Sequence, residues 1–296
     1  MIKKAMVLLI GEQPAPNLLP VRHLKPDVAV LAYTDRTQRV AENLEVLLKP
    51  DSACLRCPVE PYNVTAAQEQ LRALLESTLT GYEFVFNLTG GTKLMALAAL
   101  GLAHIYRAPF IYLQTTEHGS RLYHYVLEDG EIRRSKVEDL ATTISLDDYL
   151  RMHLGAYEVG EPRNDLEHQV REALRSSPEL EVFWSVRPQG LGALEIDFAV
   201  RLGNQVGVGE VKTKGDKSGI DQINAVAEQR HLGTYVRKFL ISGKKVDSNN
   251  RELAKAYAIE VIELSSYSEI QTLSERDRQQ LVRTVVARLS GTRKIA

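Results

Sequence analysis

Residues 194–212 carry the pattern that most restricts the fold, two alternating runs flanking Gly203-Asn204. A Gly-Asn pair between such runs predicts a two-residue β-hairpin turn. Leu202 then faces Gln205. Counting outward sets Asp197 opposite Glu210 and Glu195 opposite Lys212. Paired residues share a face. One face therefore carries Glu195, Asp197, Glu210 and Lys212, and the other Leu194, Ile196, Phe198, Val200 and Val211. Two directly opposed carboxylates repel and weaken a sheet. A hard divalent cation removes that conflict, because Mg²⁺ and Mn²⁺ take oxygen ligands. Asp197 and Glu210 are the expected metal ligands, with Lys212 beside them.

Metal-assisted phosphodiester hydrolysis uses such a set. The ion polarises the phosphate and activates a water. Lys212 orients that water or stabilises charge on the phosphate. Glu195 adds a ligand, holds a second ion, or pairs with Lys212. The plain alternative is a solvated face with cross-strand ion pairs, which leaves the opposed Asp197 and Glu210 unexplained.

Asp197 followed by Glu210-Val211-Lys212 resembles the PD-(D/E)xK nuclease superfamily, with Ile196 replacing the proline before the aspartate. The resemblance implies a preceding helix that carries a glutamate. Residues 164–174 fit, with Asn164 or Asp165 as cap and Leu166, Val170 and Leu174 as an apolar stripe. Glu167 flanks that stripe and either approaches the metal or pairs with Arg171 one turn on. A following helix often bears a glutamine, and Gln222 in residues 220–226 occupies that place.

The first half is rhythmic. Residues 5–10, 27–32, 53–58, 83–88 and 110–113 read as strands, with helices from Leu18 and over 37–48, 66–80 and 94–100. Alternating strands and helices predict a parallel, doubly wound sheet. Ligands of such sheets collect beyond the carboxyl ends of the strands. Loops 11–17, 33–37 and 87–93 project at that edge. The last contains Thr89-Gly90-Gly91-Thr92-Lys93, a glycine turn entering a helix. Glycines allow close backbone approach, and helix N-termini favour anions. It is not a Walker A loop, since G-x-x-x-x-G-K-[ST] is absent. A strand-to-helix turn capped by Thr89 or Thr92 is the plainer alternative, but the Gly-Gly pair flanked by two threonines and a lysine favours a ligand site.

The strand, this motif and the polar loop after the first strand together resemble the CARF domain, the Rossmann-like sensor of CRISPR-associated ancillary proteins. The resemblance implies a homodimer that binds a cyclic oligoadenylate, usually cyclic tetra-adenylate. It also implies nonspecific cutting of nucleic acid with Mn²⁺ or Mg²⁺ in type III CRISPR antiviral defence. Single-stranded DNA or RNA is the expected substrate, with duplex DNA also open. Thr89, Gly90, Gly91, Thr92 and Lys93 are expected to line the activator pocket, joined by Gln13, Asn17 and, from loop position, Thr34. The fold expected is α/β throughout: a Rossmann-like CARF domain over 1–155 and an α/β PD-(D/E)xK nuclease domain over 156–296. Three rivals stand beside it: a sensor with a degenerate nuclease domain, a protein that degrades its own activator, and a stand-alone repair or restriction nuclease.

The 296 residues suffice for two cores. Net charge is −1, but it is unevenly spread. Residues 1–150 hold 15 basic and 18 acidic side chains, and residues 151–296 hold 22 and 20. The second half is mildly basic, and Lys212, Lys214, Lys217, Arg237, Lys238, Lys244 and Lys245 are candidate phosphate contacts. Cys54 and Cys57 form a single C-x-x-C without a second pair, so they read as reduced packing residues rather than a zinc site. The seven histidines do not group in sequence. No signal peptide or membrane-spanning run is recognisable, which predicts a cytoplasmic protein. Residues 121–127 and 130–137 read as a hairpin around Asp129-Gly130. Further elements are expected at 146–154 (helix), 258–264 (strand) and 275–289 (helix), with the domain junction near 155–162.

Overall fold

The structure, a computed structural model, describes residues 2–116, 119–140, 144–190, 195–214, 217–226, 232–233 and 236–290. Leu194, assigned above to the apolar hairpin face, lies outside them. Two compact units divide the chain, Met1–Ile144 and Ser145–Ala296.

The first unit is built on a seven-stranded sheet. Its strands are β1 (Lys4–Leu9), β2 (Val28–Tyr33), β3 (Ala53–Pro58), β4 (Glu83–Asn87), β5 (Phe110–Thr116), β6 (Gly119–Glu128) and β7 (Glu131–Leu140), in the order β3-β2-β1-β4-β5-β6-β7. Strands β1 to β5 are mutually parallel, as the rhythm predicts. The last two run antiparallel, because the Asp129-Gly130 turn joins them as a hairpin with both residues at positive φ. Helices α1 (Ala15–Leu24), α2 (Gln38–Leu48), α3 (Val64–Thr78) and α4 (Lys93–Ile105) are the crossovers. One core layer sets Ala5, Val7 and Leu9 of β1 and Phe86 of β4 against α3 and α4. Strand β1 is buried almost end to end because it is central, which explains its unbroken apolar run. Thr92, not Thr89, caps α4, accepting from the Met95 N–H at 3.1 Å.

Helix α5 (Leu146–Leu154) belongs to the second unit, so the unit boundary falls before the expected 155–162. Leu146, Leu150 and Leu154 pack with Val186, Ile196 and Val208 in that unit's core. Gly155 closes α5 rather than a domain.

The second unit has a six-stranded sheet ordered β13-β12-β11-β10-β9-β8. Its strands are β8 (Tyr157–Glu158), β9 (Glu181–Pro188), β10 (Ile196–Leu202), β11 (Gln205–Lys212), β12 (Arg237–Ser242) and β13 (Ile259–Glu263). Its remaining helices are α6 (Asp165–Arg175), α7 (Lys217–Val226), α8 (Ser248–Ala256), α9 (Ser265–Ile270) and α10 (Glu275–Leu289). Strands β9, β12 and the short β8 were not legible in the sequence. The β10–β11 hairpin has the predicted register, with Leu202 opposite Gln205 and Phe198 opposite Gly209.

The predicted faces hold from Asp197 to Lys212 but not at Ile196 and Glu195. Phe198, Val200 and Val211 lie in one core layer with Trp184 and α6. Ile196 lies in the opposite layer with Val186 and Val208. The exchange falls at Ser185 of β9, whose φ of 47° is left-handed. A residue in that conformation interrupts the two-residue alternation. Ser185 falls between Trp184 and Val186, which pair with Phe198 and Ile196, so the interruption sits beside Asp197.

Candidate functional site

Asp197 and Glu210 come together as expected. One step beyond the paired register they lie opposite each other, and both are buried. Asp197 also accepts from the Val211 N–H at 2.8 Å. Burial, then the Asp197 charge, pushes the Glu210 carboxyl up to about 8, against the pull of Lys212. Burial also raises Asp197; the Val211 N–H opposes the rise, and the charge of Glu167 adds to it. Two buried carboxyls facing each other resist double ionisation, so the raised Glu210 favours a proton on the pair at neutral pH.

Lys212 and Gln222 complete this side. The Lys212 ammonium lies 2.7 Å from Glu210 Oε1 and donates to Gln222 Oε1 at 3.1 Å. Glu210 Oε2 is buried with no hydrogen-bond partner. An acceptor so placed has lost its water without replacement and suits a cation. Asp197 and Glu210 therefore fit a hard divalent ion. Among the described residues, no group of three or more His, Cys, Asp or Glu is arranged to hold a metal, so the fit rests on this pair.

Glu167 is buried rather than exposed, and its expected partner Arg171 bonds Glu161 instead. Asn164 caps α6, accepting from the Glu167 N–H at 3.0 Å. The Glu167 carboxylate accepts from the Arg163 N–H at 2.9 Å, Asn164 Nδ2 at 2.6 Å and Trp184 Nε1 at 3.4 Å. Three donors let a carboxylate stay buried beside Asp197.

Glu195 departs from the expected pairing with Lys212. Its carboxylate is taken by the Arg163 guanidinium, by Ser185 Oγ at 3.0 Å and by Arg187 Nε at 3.2 Å. Burial opposes ionisation there, yet these three donors outweigh it and hold the carboxyl below the usual range. Arg163, Arg187 and Ser185 had no signal in the sequence. Arg163 is one of many basic residues there, and β9 was not recognised.

In the first unit, the predicted ligand loops converge at the carboxyl ends of β1, β2 and β4. Much of the expected activator set builds the loop itself. Asn17 is fully buried, donating to Leu9 O at 3.0 Å and accepting from Asn87 Nδ2 at 3.2 Å. It is a scaffold residue, not a surface contact. Thr89 donates to Asn87 Oδ1 and accepts from the Leu113 N–H, both at 2.7 Å. Thr34 is buried in a turn with Thr37, its N–H donating to Thr37 Oγ1 at 3.0 Å. Thr92 caps α4 and donates to Pro61 O at 2.7 Å. Gln13 is half-buried on the loop before α1. Lys93 is exposed at the α4 N-terminus, in no ion pair among the described residues. A cation at the positive end of a helix dipole is unfavourable unless an anion joins it. Among the described residues the N–H groups of Gly90 and Gly91 also have no protein partner.

Other expectations fall more simply. Burial pushes the Cys54 and Cys57 thiols up to about 11, which keeps them unreactive packing groups. The histidines do group once. His124 Nε2 lies 2.7 Å and His23 Nε2 3.5 Å from Glu138, whose carboxyl is held down at about 2, chiefly by Lys136. Lys136 lies 2.6 Å from the same carboxylate, occupying it as an ion pair. Among the described residues, no helix is long and apolar enough to cross a membrane.

A parallel sheet whose order reverses between β1 and β4, with loops gathered at the carboxyl ends of those strands, defines the class, a Rossmann-like domain. Residues 5–149 match the Card1 CARF domain family, and this first unit is a CARF domain. The whole chain shares its fold with Can2 from Sulfobacillus thermosulfidooxidans, solved in complex with cyclic tetra-adenylate. Identity is 17%, coverage is 97% of this chain and 99% of Can2, and the TM-score is 0.71. Protein VC1899 from Vibrio cholerae is similar over 98% of this chain and 99% of its own, at 14% identity and TM-score 0.71. A type III CRISPR defence DNA nuclease activated by cyclic oligoadenylate matches at 16% identity and TM-score 0.59. That match covers 96% of this chain and 52% of the nuclease. Comparison with curated protein sequences gives no match.

Proposed function

We propose that the chain is a cyclic-oligoadenylate-activated, metal-dependent nuclease of type III CRISPR defence that cuts nucleic acid without sequence preference. The observation that carries this reading is the buried Asp197–Glu210 pair with Glu210 Oε2 left unpartnered beside Lys212. Asp197 and Glu210 would hold Mn²⁺ or Mg²⁺. When bound, the ion would polarise the phosphate and help form a nucleophile at neutral pH. Gln222 anchors the Lys212 ammonium, which would meet charge developing on the phosphate. Glu167 is held beside Asp197 by three donors, Arg163 N–H, Asn164 Nδ2 and Trp184 Nε1, and adds a further carboxyl to the surroundings of the ion.

The activator assigned to the CARF domain is cyclic tetra-adenylate. Support comes from the family match, from the loop geometry around Lys93 and from the ligand in the Can2 complex. The reading includes a homodimer. Leu97 and Ile105 stand 55% and 53% exposed on one face of α4, an apolar surface suited to a second copy.

The test is cleavage of single-stranded DNA, single-stranded RNA and plasmid with Mn²⁺, with and without cyclic tetra-adenylate, alongside a sedimentation mass. Cleavage only with the activator, by a species of two chains, is the expected result. Cleavage regardless of activator would sink the gating, and a monomeric active species would sink the dimer.

Lys93→Ala is expected to weaken cyclic tetra-adenylate binding by about tenfold or more, since charged hydrogen bonds contribute roughly 1.5–3 kcal/mol. Calorimetric titration reads the change. Unaltered affinity would remove Lys93 from the pocket.

A further inference from the structure

Glu195 lies two residues from Asp197 and was expected to contribute to the metal or to Lys212. Its surroundings say otherwise. Both carboxylate oxygens are engaged, Oε2 by Arg163 and Oε1 by Ser185 and Arg187. Arg187 Nη2 also donates to Ser185 Oγ at 3.0 Å. The left-handed Ser185 brings this hydroxyl into the cluster. The two arginine side chains remain 55% and 51% exposed. One guanidinium nitrogen of Arg163 and two of Arg187 are used. Among the described residues the other guanidinium nitrogens have no partner and are open to a ligand.

Two guanidiniums restrained by one carboxylate are a preorganised pair. The cluster carries a net single positive charge beside an acidic pair. Guanidinium N–H groups match phosphate oxygens in bidentate geometry. Arg163 also lies in the field of Asp197 and Glu167, so the cluster borders the reacting pair.

We propose that Arg163 and Arg187 form a fork for a backbone phosphate of the nucleic-acid strand, and that Glu195 organises this fork rather than binding the metal. This rests on the nuclease reading of the Asp197–Glu210 site and deepens it. The fork holds a phosphate that neighbours the one being cut, so its role is positioning. It reads charge and backbone shape, not bases, which suits cutting without sequence preference.

The test uses the full chain with cyclic tetra-adenylate and Ca²⁺, a labelled single-stranded DNA 20-mer and the matching RNA. Anisotropy is followed across a salt series. The double variant Arg163→Ala/Arg187→Ala is expected to bind about tenfold or more weakly, with the log K against log salt slope shallower by about 0.7 for the lost contact. Arg163→Lys/Arg187→Lys keeps the slope and loses part of the affinity, because charge remains and the planar donors do not. Glu195→Gln weakens strand binding while its Mn²⁺ affinity, read by paramagnetic resonance without nucleic acid, stays within about twofold. A double alanine variant with an unchanged salt slope overturns the fork. So does a tenfold loss of Mn²⁺ affinity in Glu195→Gln. Where the wild type cleaves normally, either outcome removes the fork alone. A wild-type chain that binds no strand removes the nuclease reading with it.

Discussion

On the proposed nuclease reading, Glu210→Gln will lower activator-dependent cleavage by more than about 100-fold, because it removes one of the two carboxylates proposed to hold the ion. The same substitution will stabilise the metal-free protein above neutral pH. Glu210 ionises in the unfolded chain near the ordinary glutamate value of 4.5 but in the folded protein only at about 8. Between those values the native state binds the extra proton. Its contribution is fully present below the unfolded pKa and is lost as pH rises through about 8. Stability therefore falls with pH in that window, by up to about 1.4 kcal/mol per unit. Glutamine keeps the shape, carries no charge and flattens the dependence. Urea unfolding of both proteins in EDTA at pH 5, 7 and 9 reads the difference. Mn²⁺ must displace the proton, so its stabilising effect on the wild type will grow with pH towards 8. If the two proteins show the same pH slope, the opposed carboxyls do not share the proton.

The hairpin was legible because its information is local. Gly203-Asn204 fixes the turn and the turn fixes the register, so Asp197 and Glu210 could be set opposite each other by counting. The same counting failed at Ile196 and Glu195. Their placement depends on Ser185 of β9, a neighbouring strand whose left-handed residue carries no sequence signature. Arg163 and Arg187 were missed for the same reason: what makes them notable is a shared partner, Glu195, which only tertiary structure supplies. Glu167 was ambiguous because a position on the edge of the helical stripe faces either core or solvent. Trp184 and Asn164 decide it. In the CARF domain the motif was visible but its division of labour was not. From sequence alone, every residue of Thr89-Gly90-Gly91-Thr92-Lys93 is an equal candidate for the ligand. The structure commits the two threonine side chains to the loop and leaves Lys93 exposed.

Gly90→Ala will unfold or distort the CARF ligand loop, although Gly90 does not occupy a left-handed backbone region. A β-carbon there would lie 2.1 Å from Leu9 O and 3.1 Å from Asn17 Nδ2. Leu9 O is the acceptor that Asn17 holds, and Asn17 in turn engages Asn87 at the start of the motif. The methyl group therefore enters a closed set of hydrogen bonds between β1, α1 and the end of β4. Overpacking usually costs about 1–3 kcal/mol, and a clash against backbone that cannot rotate away belongs at or above the upper end. A loss of about 3 kcal/mol corresponds to a melting point lower by roughly 6–12 °C for a domain of this size. Gly91 needs its lack of side chain for a different reason as well, a φ of 68°. Gly81 separates the two causes. Its φ is 81°, yet no atom lies within 4 Å of its would-be β-carbon. Gly81→Ala should cost only the left-handed strain of about 1–2 kcal/mol and keep cyclic tetra-adenylate binding intact. Gly90→Ala should lose that binding along with its larger share of stability, because the displaced turn carries the α4 N-terminus and Lys93. Thermal melts and calorimetric titration of both variants decide the point. If Gly90→Ala melts with Gly81→Ala and binds as the wild type does, the contact between the glycine turn and β1 does not hold the loop in place.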